Sequence, residues 1–470
     1  MTTIVVLFPF VSLTLAALFA NRSLRSVARV FLAGAGLIGT ILAASTMDWL
    51  SGIFAVSVSL LCAIVVLFST GILPKGGNNP MEPWSRKPAY FILLGAFWSS
   101  MLLTVTSAGF IGIWIGISAT TLATTFLVAY SGGKAALEAA WKYLMLCSFG
   151  IAIALIGMLL LGRAAMMAGV APGQALSWSA LIPHAALMDI PLTRVALTLM
   201  LVGFATKAGL VPMHAWLPDA HSKAPAPVSA LLSGLLVSCA LYAILRVQSV
   251  AAQTPSAGLF DGILLYGGAV SILIASLLML AQRDVKRLFS YSTVEHAGIV
   301  AFALGLATPL AAFAALYHIL NHAFAKSMAF LSVGMVQEQY GSTSIRDLRG
   351  LWSVRGGRTL LAAMIALAGL PPFGLFFSEL LIVVAAVQVR AWSALAIALV
   401  GLLIAFAALL RLAITTESGT HPHGLPAPKL RLATVAVTCV VAASSALVAV
   451  PFVPWSHAVY GLLAAMVNRP

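Results

Sequence analysis

The sequence predicts an all-α, polytopic membrane protein with about fourteen transmembrane helices. Hydrophobic residues make up 61% of the 470 residues and charged residues only 8%, whereas soluble domains carry roughly 25% charged residues. The mean hydropathy is +1.05. Apolar runs of the length that crosses a bilayer, about 20 residues, follow one another along the whole chain. Most of the chain must therefore be surrounded by lipid or by other buried helices.

Fourteen apolar runs are long enough to span a membrane. The first begins at Ile4 with no basic segment before it, so it is interpreted as a transmembrane helix and not as a signal peptide. The predicted spans are 3–20, 27–45, 50–73, 89–107, 109–130, 138–162, 193–221, 226–249, 258–281, 286–306, 309–337, 357–389, 391–414 and 431–453.

The basic residues indicate how these spans are oriented. The chain has 26 lysines and arginines against 12 acidic residues, but they stand singly or in small groups between apolar runs, which argues against nucleic-acid binding. Most of them fall in the odd-numbered loops. By the positive-inside rule these loops face the cytoplasm. We therefore expect a multi-pass protein of the cell inner (cytoplasmic) membrane with both termini outside the cytoplasm.

Composition and motifs exclude several classes of function. The four cysteines, Cys62, Cys147, Cys239 and Cys439, each lie alone in an apolar run, and no CxxC pair occurs. Iron–sulfur clusters, zinc sites and disulfide frameworks are therefore not expected. Nucleotide-binding, kinase and hydrolase motifs are missing as well. We expect no cofactor, no catalytic residue and no redox centre within this chain.

Two predicted spans are unusually long and interrupted by proline. Span seven contains Pro212 in its middle and Pro218 near its end, and span twelve contains the pair Pro371–Pro372. The spans are five apart, and this odd offset makes them run in opposite directions. Paired broken helices predict two inverted repeats with an ion path at the breaks. The alternative is a pair of ordinary proline kinks.

Lys207 and Glu379 are ionisable residues at membrane depth beside these breaks. A charge at the bilayer centre costs at least about 2.5–3.5 kcal/mol, so each needs a reason to be there. Lys207 lies about 20 Å along the helix from Arg194, too far for its side chain to reach that interface. We predict that both residues belong to a proton path. The alternatives are a lysine held by backbone carbonyls and a glutamate that caps the broken helix.

Span eleven carries a stripe of protonatable groups. His318, His322 and Lys326 recur every four residues and so share one helix face over about 12 Å. Glu295 and His296 add two more protonatable groups in span ten. Groups of this kind can relay protons in a low-dielectric interior. Structural hydrogen bonds or an ion pair of Glu295 are the alternatives. A zinc site is not expected, because the His318–His322 pair lacks the HExxH pattern and an evident third ligand.

One further pair lies near the cytoplasmic end of span six. Glu138 and Lys142 are separated by four residues, the spacing at which opposite charges stabilise a helix. We interpret the pair as stabilising, with a possible role in coupling.

Four stretches resemble the signatures of the antiporter-like subunits of respiratory complex I, Mrp cation/proton antiporters and membrane-bound hydrogenases. The first, FATKAGLVPMHAWLPDAHSKAPAPVSALL, is highly specific, and the resemblance extends from about residue 90 to 415. The run 138–155 is most similar to membrane component F of hydrogenase-4. The four signature stretches are 204–232, 284–298, 317–334 and 367–381.

This resemblance implies a fold and a set of roles. The fold is fourteen helices with two inverted five-helix repeats and broken helices seven and twelve. The expected division is an N-terminal three-helix segment (1–88), a first repeat (89–249), a second repeat (258–414) and a C-terminal loop and last helix (415–470). Lys207 would serve the first half-channel, Glu379 would end the second, and His318, His322 and Lys326 would connect them.

The sequence departs from the family at two positions. Ser118 stands where members usually carry a glutamate in span five, and Ser238 stands where some carry a lysine in span eight. Lys207 thus lacks its usual acidic partner, which disfavours its charged form. We hypothesise impaired or altered pumping, with another acid serving or the first half-channel idle. In that case Ser118→Glu should raise proton translocation.

The predicted function is that of an ion-translocating, non-redox membrane subunit in a respiratory or group 4 hydrogenase-type oxidoreductase complex. Its partners would be other membrane subunits, a peripheral redox arm, the lipid bilayer, and protons or Na⁺. One alternative is a component of an Mrp-type secondary cation/proton antiporter, and another is a membrane subunit that energises inorganic-carbon uptake. The sequence leaves the ion and the complex open.

Overall fold

The structure, a computed structural model, describes residues 2–18, 25–71, 88–418 and 439–440, and these are almost entirely helical. Within the described residues, each of the first thirteen predicted spans corresponds to one helix or to two consecutive helices. The fourteenth, 431–453, lies outside them except for Cys439 and Val440. The all-α class is confirmed.

Seventeen α-helices are present in the described part of the chain: α1 (Thr2–Leu18), α2 (Arg25–Ala44), α3 (Trp49–Gly71), α4 (Pro88–Thr106), α5 (Phe110–Ala129), α6 (Lys134–Met167), α7 (Trp178–Leu181), α8 (Ile190–Ala208), α9 (Trp216–Lys223), α10 (Ala226–Leu231), α11 (Val237–Ala251), α12 (Ala257–Leu280), α13 (Val285–Gly305), α14 (Pro309–Tyr340), α15 (Arg355–Leu367), α16 (Gly374–Gln388) and α17 (Trp392–Glu417).

Burial divides the helices into an outer ring and a centre. Among the residues that the structure describes, ten helical segments are long and apolar enough to cross a membrane. The outer ones expose large apolar side chains, such as Phe31, Leu122 and Leu403, as expected for surfaces in contact with lipid. The continuous helical segment Ala226–Ala251 is completely buried, and α14 is nearly so. The ionisable residues of α14 therefore lie inside the bundle, where they meet other helices and not lipid.

The first break separates α8 from α9. α8 ends at Ala208, and the next residue, Gly209, has a φ of +79°, the left-handed conformation that favours glycine. The chain then runs without regular helix through Pro212 before α9 begins at Trp216. Pro218 lies in the first turn of α9, where a proline removes no intrahelical hydrogen bond. Span seven is thus broken around Pro212, while Pro218 belongs to the second half-helix.

The second break separates α15 from α16. α15 ends at Leu367, and Gly369 adopts φ +61° before the Pro371–Pro372 pair. α16 starts at Gly374, where an added Cβ would collide with the amide of Asn321. Glycine at these two positions therefore allows the broken ends to pack closely against α14 and against the side chains of α16 itself.

Two local features have no counterpart in the predicted spans. Between α6 and α8 the chain forms short helical turns, including Pro172–Gln174, α7 and Ile182–Leu187. A π-helical turn, Leu232–Leu236, joins α10 to α11, so the eighth span is continuous but locally wider than an α-helix. Such turns are frequent at functional sites, and here Ser233 Oγ of this turn lies 2.6 Å from Thr293 Oγ1.

An ion pair joins the N-terminal helices to the centre. Arg246 of α11 bonds to Asp48, which precedes α3, and donates to Ser51 Oγ at 3.0 Å. Its guanidinium also stacks over the ring of Trp178. Burial raises the pKa of Asp48, but Arg246 and the hydrogen bonds from Ser51 outweigh this effect, and the net pKa lies below its usual value. The pair anchors α3 to the buried central helix.

Candidate functional site

Lys207 ends α8 at the first break and is completely buried. Its Nζ donates hydrogen bonds to Thr121 Oγ1 of α5 at 2.8 Å and to the Tyr143 hydroxyl of α6 at 2.5 Å. The ammonium also lies 4.6 Å from the centre of the Tyr143 ring and 6.0 Å from that of Trp216, within cation–π range. Within the described residues, no carboxylate pairs with Lys207.

Hydroxyl groups continue from Lys207 into α5. The Tyr143 hydroxyl lies 2.6 Å from Thr124 Oγ1, and Thr124 Oγ1 donates to the Thr120 carbonyl at 2.6 Å. Thr121 Oγ1 donates to the Ile117 carbonyl at 3.0 Å. We name Lys207, Tyr143, Thr121 and Thr124 the first cluster. Its hydrogen-bond acceptors are neutral, so nothing in it balances the charge of a protonated lysine.

The two positions at which the resemblance implied a departure, Ser118 and Ser238, carry hydroxyls bonded to their own helices. Ser118 Oγ donates to the Trp114 carbonyl at 2.7 Å, and Ser238 Oγ donates to the Gly234 carbonyl at 2.6 Å. Ser118 is three residues before Thr121 on α5, so both lie on the same helix face. A longer acidic side chain at 118 would be directed toward Lys207.

A second cluster surrounds Lys326 of α14. Its Nζ is completely buried and donates to the Phe289 carbonyl of α13 at 3.1 Å. Glu295, also buried, is close enough to interact electrostatically with Lys326. The Glu295 carboxylate accepts from Ser292 Oγ at 3.4 Å and lies 3.7 Å from His296 Nε2. Unlike Lys207, this buried lysine has an acidic group nearby.

Histidines extend the second cluster toward the second break. His296 Nδ1 lies 3.0 Å from His318 Nε2, and the other nitrogen of His318, Nδ1, lies 2.9 Å from Ser378 Oγ. The ring of His322 is 5.1 Å from that of His296, and its Nε2 is buried without a hydrogen bond. The predicted stripe on α14 therefore meets His296 of α13, which the sequence places with Glu295 among the protonatable groups of span ten.

Glu379 stands next to Ser378 on α16 and is packed against the second break. A Cβ at Gly369 would collide with its carboxylate, so this carboxylate lies directly beside the irregular segment. Ligand-capable atoms of His296, His318 and Glu379 lie within 4.8 Å of one another. His318 is thus accompanied by two ligand-capable groups, whereas the sequence showed no third ligand. The same three groups are close enough to exchange protons through small movements or one intervening water.

His221 is a buried residue of the site that the sequence analysis overlooked. Neither of its ring nitrogens has a hydrogen-bond partner, and its ring stacks on Phe330 at 5.3 Å. It lies on α9, which begins with Trp216 beside Tyr143 of the first cluster. Phe330 packs against Phe289 near Lys326, so α9 reaches from one cluster to the other. The sequence did contain a signal for His221, because it is an ionisable residue just after the helix break around Pro212.

The two clusters are not joined directly. No hydrogen bond in the part of the chain that the structure describes links Lys207 to the Lys326 cluster. The predicted axis therefore consists of two separate clusters with the unpartnered His221 ring on the helix that connects them. Burial of two free ring nitrogens is costly, which makes this histidine a natural place for water or for a transferred proton.

A cavity of about 550 Å³ opens beside α9, near the starts of α6 and α13. It is lined by the turns before α6 and α10 and by the end of α14, and three lysines border it: Lys134, Lys223 and Lys286. Lys286 is buried and donates to the Ala224 carbonyl at 3.1 Å. The cavity lies at the helix ends that the charge pattern assigns to the cytoplasmic side.

The Glu138–Lys142 pair lies at the surface near this end. Lys142 Nζ is 2.7 Å from Glu138 and 3.4 Å from Asp219 of α9. Asp219 in turn pairs with Arg287 at 2.7 Å. These charges connect α6, α9 and α13 at the protein surface and are separate from the buried clusters.

Sequence comparisons match this chain to known membrane proteins over most of its length. Residues 107–405 match the transmembrane family described as NADH:quinone oxidoreductase/Mrp antiporter. A hydrogenase-4 component F homolog of Methylacidiphilum infernorum is 34% identical over 438 residues, covering 90% of this chain and 91% of the relative. The N subunit of the NADH-quinone oxidoreductase of Cereibacter sphaeroides is 32% identical over 403 residues, covering 79% and 84%.

Solved structures share the fold. A chain of the membrane-bound sulfane sulfur reductase, an archaeal respiratory membrane complex, superposes with a TM-score of 0.86 at 22% identity, covering 99% of this chain and 98% of that one. A chain of NADH-bound respiratory complex I from Thermus thermophilus has a TM-score of 0.84 at 20% identity, and both chains are covered completely, 100% each. At these identities the likeness concerns the architecture.

Proposed function

The chain belongs to the NADH:quinone oxidoreductase/Mrp antiporter family of transmembrane proteins, and on that premise we propose that it translocates protons within a respiratory or group 4 hydrogenase-type complex. The resemblance drawn from its signature stretches is confirmed, and the chain is an antiporter-like, multi-pass membrane subunit. Relatives named as hydrogenase-4 and NADH-quinone oxidoreductase components support energy supply from the redox reaction of a partner.

One observation carries this proposal: the buried hydrogen-bonded chain from His296 through His318 to Ser378. It lies between the Glu295–Lys326 pair and the Glu379 carboxylate. Imidazoles accept a proton on one nitrogen and release it from the other, so such a chain can pass protons without moving the backbone. Its position beside the second helix break agrees with the rule that intramembrane ionisable residues mark ion pathways.

The proposed route combines the two clusters. Protons would enter from the cytoplasmic side by way of the lysine-lined cavity, and His221 would connect Lys207 with Lys326. They would then pass along the histidines to Glu379. A change in the charge of one lysine alters the electrostatic energy of the next group in the low-dielectric interior, which couples the steps. Orientation in the inner membrane and the partner subunits belong to the proposal.

A component of an Mrp-type secondary antiporter remains the second candidate. The A/B subunit of a probable K⁺/H⁺ antiporter of Rhizobium meliloti is 30% identical over 337 residues. This chain covers only 32% of that relative, so the comparison supports shared architecture more than a shared driving force. Purification from native membranes in mild detergent, with identification of the co-migrating chains, distinguishes the candidates: redox subunits support the proposal, and a set of small membrane chains without redox subunits supports the antiporter.

Lys207→Met tests translocation by this chain. In liposomes containing the purified complex, energised by its own redox reaction, proton uptake should fall at least tenfold, because the only titratable ammonium of the first cluster is gone. Arg194→Met, on the same helix but exposed, is the matched control and should leave uptake unchanged. Wild-type uptake by a fully assembled Lys207→Met complex would refute the proposal. Measuring radioactive Na⁺ in parallel identifies the ion.

A further inference from the structure

Tyr143 is a hydrogen-bond partner of Lys207, for which the resemblance implied an acidic partner. Its hydroxyl is 2.5 Å from Lys207 Nζ, and both residues are completely buried. Ser118, which replaces the family's usual glutamate, bonds to its own helix instead. The side chains that meet the ammonium therefore come from Tyr143 and Thr121, and both contribute neutral oxygens.

We propose that Tyr143 is the functional partner of Lys207, a positioning residue whose hydroxyl reverses its hydrogen-bond direction when Lys207 gains or loses a proton. The inference rests on the proposed proton translocation and names the residue that makes the first cluster competent without a carboxylate. Its basis is the unbroken series of donors and acceptors from Lys207 through Tyr143 and Thr124 to the Thr120 carbonyl.

In the charged state each link of this series joins a donor to an acceptor. The ammonium donates to the Tyr143 oxygen, the Tyr143 hydroxyl donates to Thr124 Oγ1, and Thr124 donates to the Thr120 carbonyl at 2.6 Å. A charge-assisted hydrogen bond is roughly twice as strong as a neutral one, and the ring face of Tyr143 adds a cation–π contact. These contacts favour the charged form in the absence of a counter-ion.

In the neutral state the hydrogen bonds of this series can point in the opposite direction. The Tyr143 hydroxyl donates to the lone pair of Lys207 Nζ, and Thr124 Oγ1 turns to donate to the Tyr143 oxygen, a bond in which either atom can be the donor. The Thr120 carbonyl keeps its intrahelical partner, since it belongs to α5. A hydroxyl therefore satisfies both protonation states of the lysine, whereas a carboxylate accepts only and stabilises the charged state alone.

Tyr143→Phe tests the inference because it removes the hydroxyl and keeps the ring, its volume and its cation–π contact. The charged state loses the stronger bond, so the alkaline limb of the translocation–pH profile should move to lower pH by about one unit. At alkaline pH, a shift of one unit corresponds to a proton uptake about tenfold lower than that of the wild type. Tyr90→Phe is the matched control. Tyr90, on α4, is completely buried, and its hydroxyl lies 3.0 Å from Ser69 Oγ of α3. Loss of the Tyr90 hydroxyl should not move the translocation–pH profile.

A second pair of variants introduces an acidic residue at position 118. Ser118→Glu directs a carboxylate toward Lys207 from the face that carries Thr121, so the alkaline limb should move to higher pH. Translocation above neutral pH should rise. In that background Tyr143→Phe should have little effect, because the carboxylate replaces the hydroxyl as acceptor. Equal effects of Tyr143→Phe with and without Ser118→Glu would count against a shared position at Lys207.

The outcomes separate this inference from the proposed function. If Lys207→Met is inactive while Tyr143→Phe keeps the wild-type pH profile, the role of Tyr143 is overturned and proton translocation stands. If Lys207→Met translocates normally, the proposed function fails first. Should Tyr143→Phe prevent assembly, Thr124→Val decides: a shift in the same direction of a few tenths of a pH unit supports the inference, and an unshifted profile overturns it.

Discussion

Lys207 and Lys326, both completely buried, are stabilised in different ways. Lys207 is surrounded by hydroxyls and aromatic rings. Lys326 donates to a backbone carbonyl and has the Glu295 carboxylate in electrostatic range. In a low-dielectric interior, an ammonium near a carboxylate can remain charged as part of a neutral pair, whereas one among hydroxyls carries its full charge.

Lys207 ends a broken helix, whereas Lys326 lies on the unbroken α14, so the two lysines differ in both scaffold and partners. The first cluster contains a single strongly basic group. The second brings two carboxylates and three histidines into one buried region, so a proton can be shared among several groups. We expect the second cluster to tolerate small changes in charge at one member, and the first to be sensitive to each contact of Lys207.

The largest effect is expected from breaking the histidine series of the second cluster. His318→Leu removes the bonds to both His296 and Ser378 and so interrupts the hydrogen-bonded series, and proton uptake should fall at least tenfold in the assembled complex. His184→Leu, which removes a histidine bonded only to the Ala180 carbonyl in the segment before α8, serves as control. Uptake near the wild-type rate in His318→Leu would show that protons bypass this series.

An intermediate effect is expected from Gly369→Ala, which moves Glu379 without removing it. Both Gly369 and Gly341 have positive φ, +61° and +71°, but only at Gly369 would the new Cβ strike a carboxylate. Gly341→Ala therefore carries the backbone strain alone, about 1–2 kcal/mol. We expect both variants to lose similar stability and only Gly369→Ala to lose translocation, by several-fold. Equal translocation in the two would place Glu379 outside the path.

The smallest effect is expected at the protein surface. Glu138→Gln breaks the exposed pair with Lys142, and Lys142 retains Asp219 as a partner. Exposed pairs contribute about 0–1 kcal/mol, so thermal stability should change little and proton uptake should stay within twofold of the wild type. A larger loss of uptake with normal assembly would instead support the coupling role suggested by the sequence.

The buried residues of the proposed path were largely predictable from their chemistry. Lys207, His318 and Lys326 were singled out because charged or protonatable groups are expensive in a membrane, and the four-residue spacing on α14 follows directly from helix geometry. His221 was not singled out. Its place depends on the contact of α9 with α14, and such contacts are not encoded in spacing along a single helix.

The sequence alone determined the fold class, the helices of the first thirteen predicted spans, the two helix breaks and the family, because apolar length, proline placement and signature stretches are local properties of the chain. Only the tertiary structure decided which groups meet: that Lys207 bonds to Tyr143 and not to an acid, that His296 joins His318, and that Glu379 lies against Gly369. These pairs come from different helices, and their contact depends on how the helices pack against each other, which no local pattern specifies.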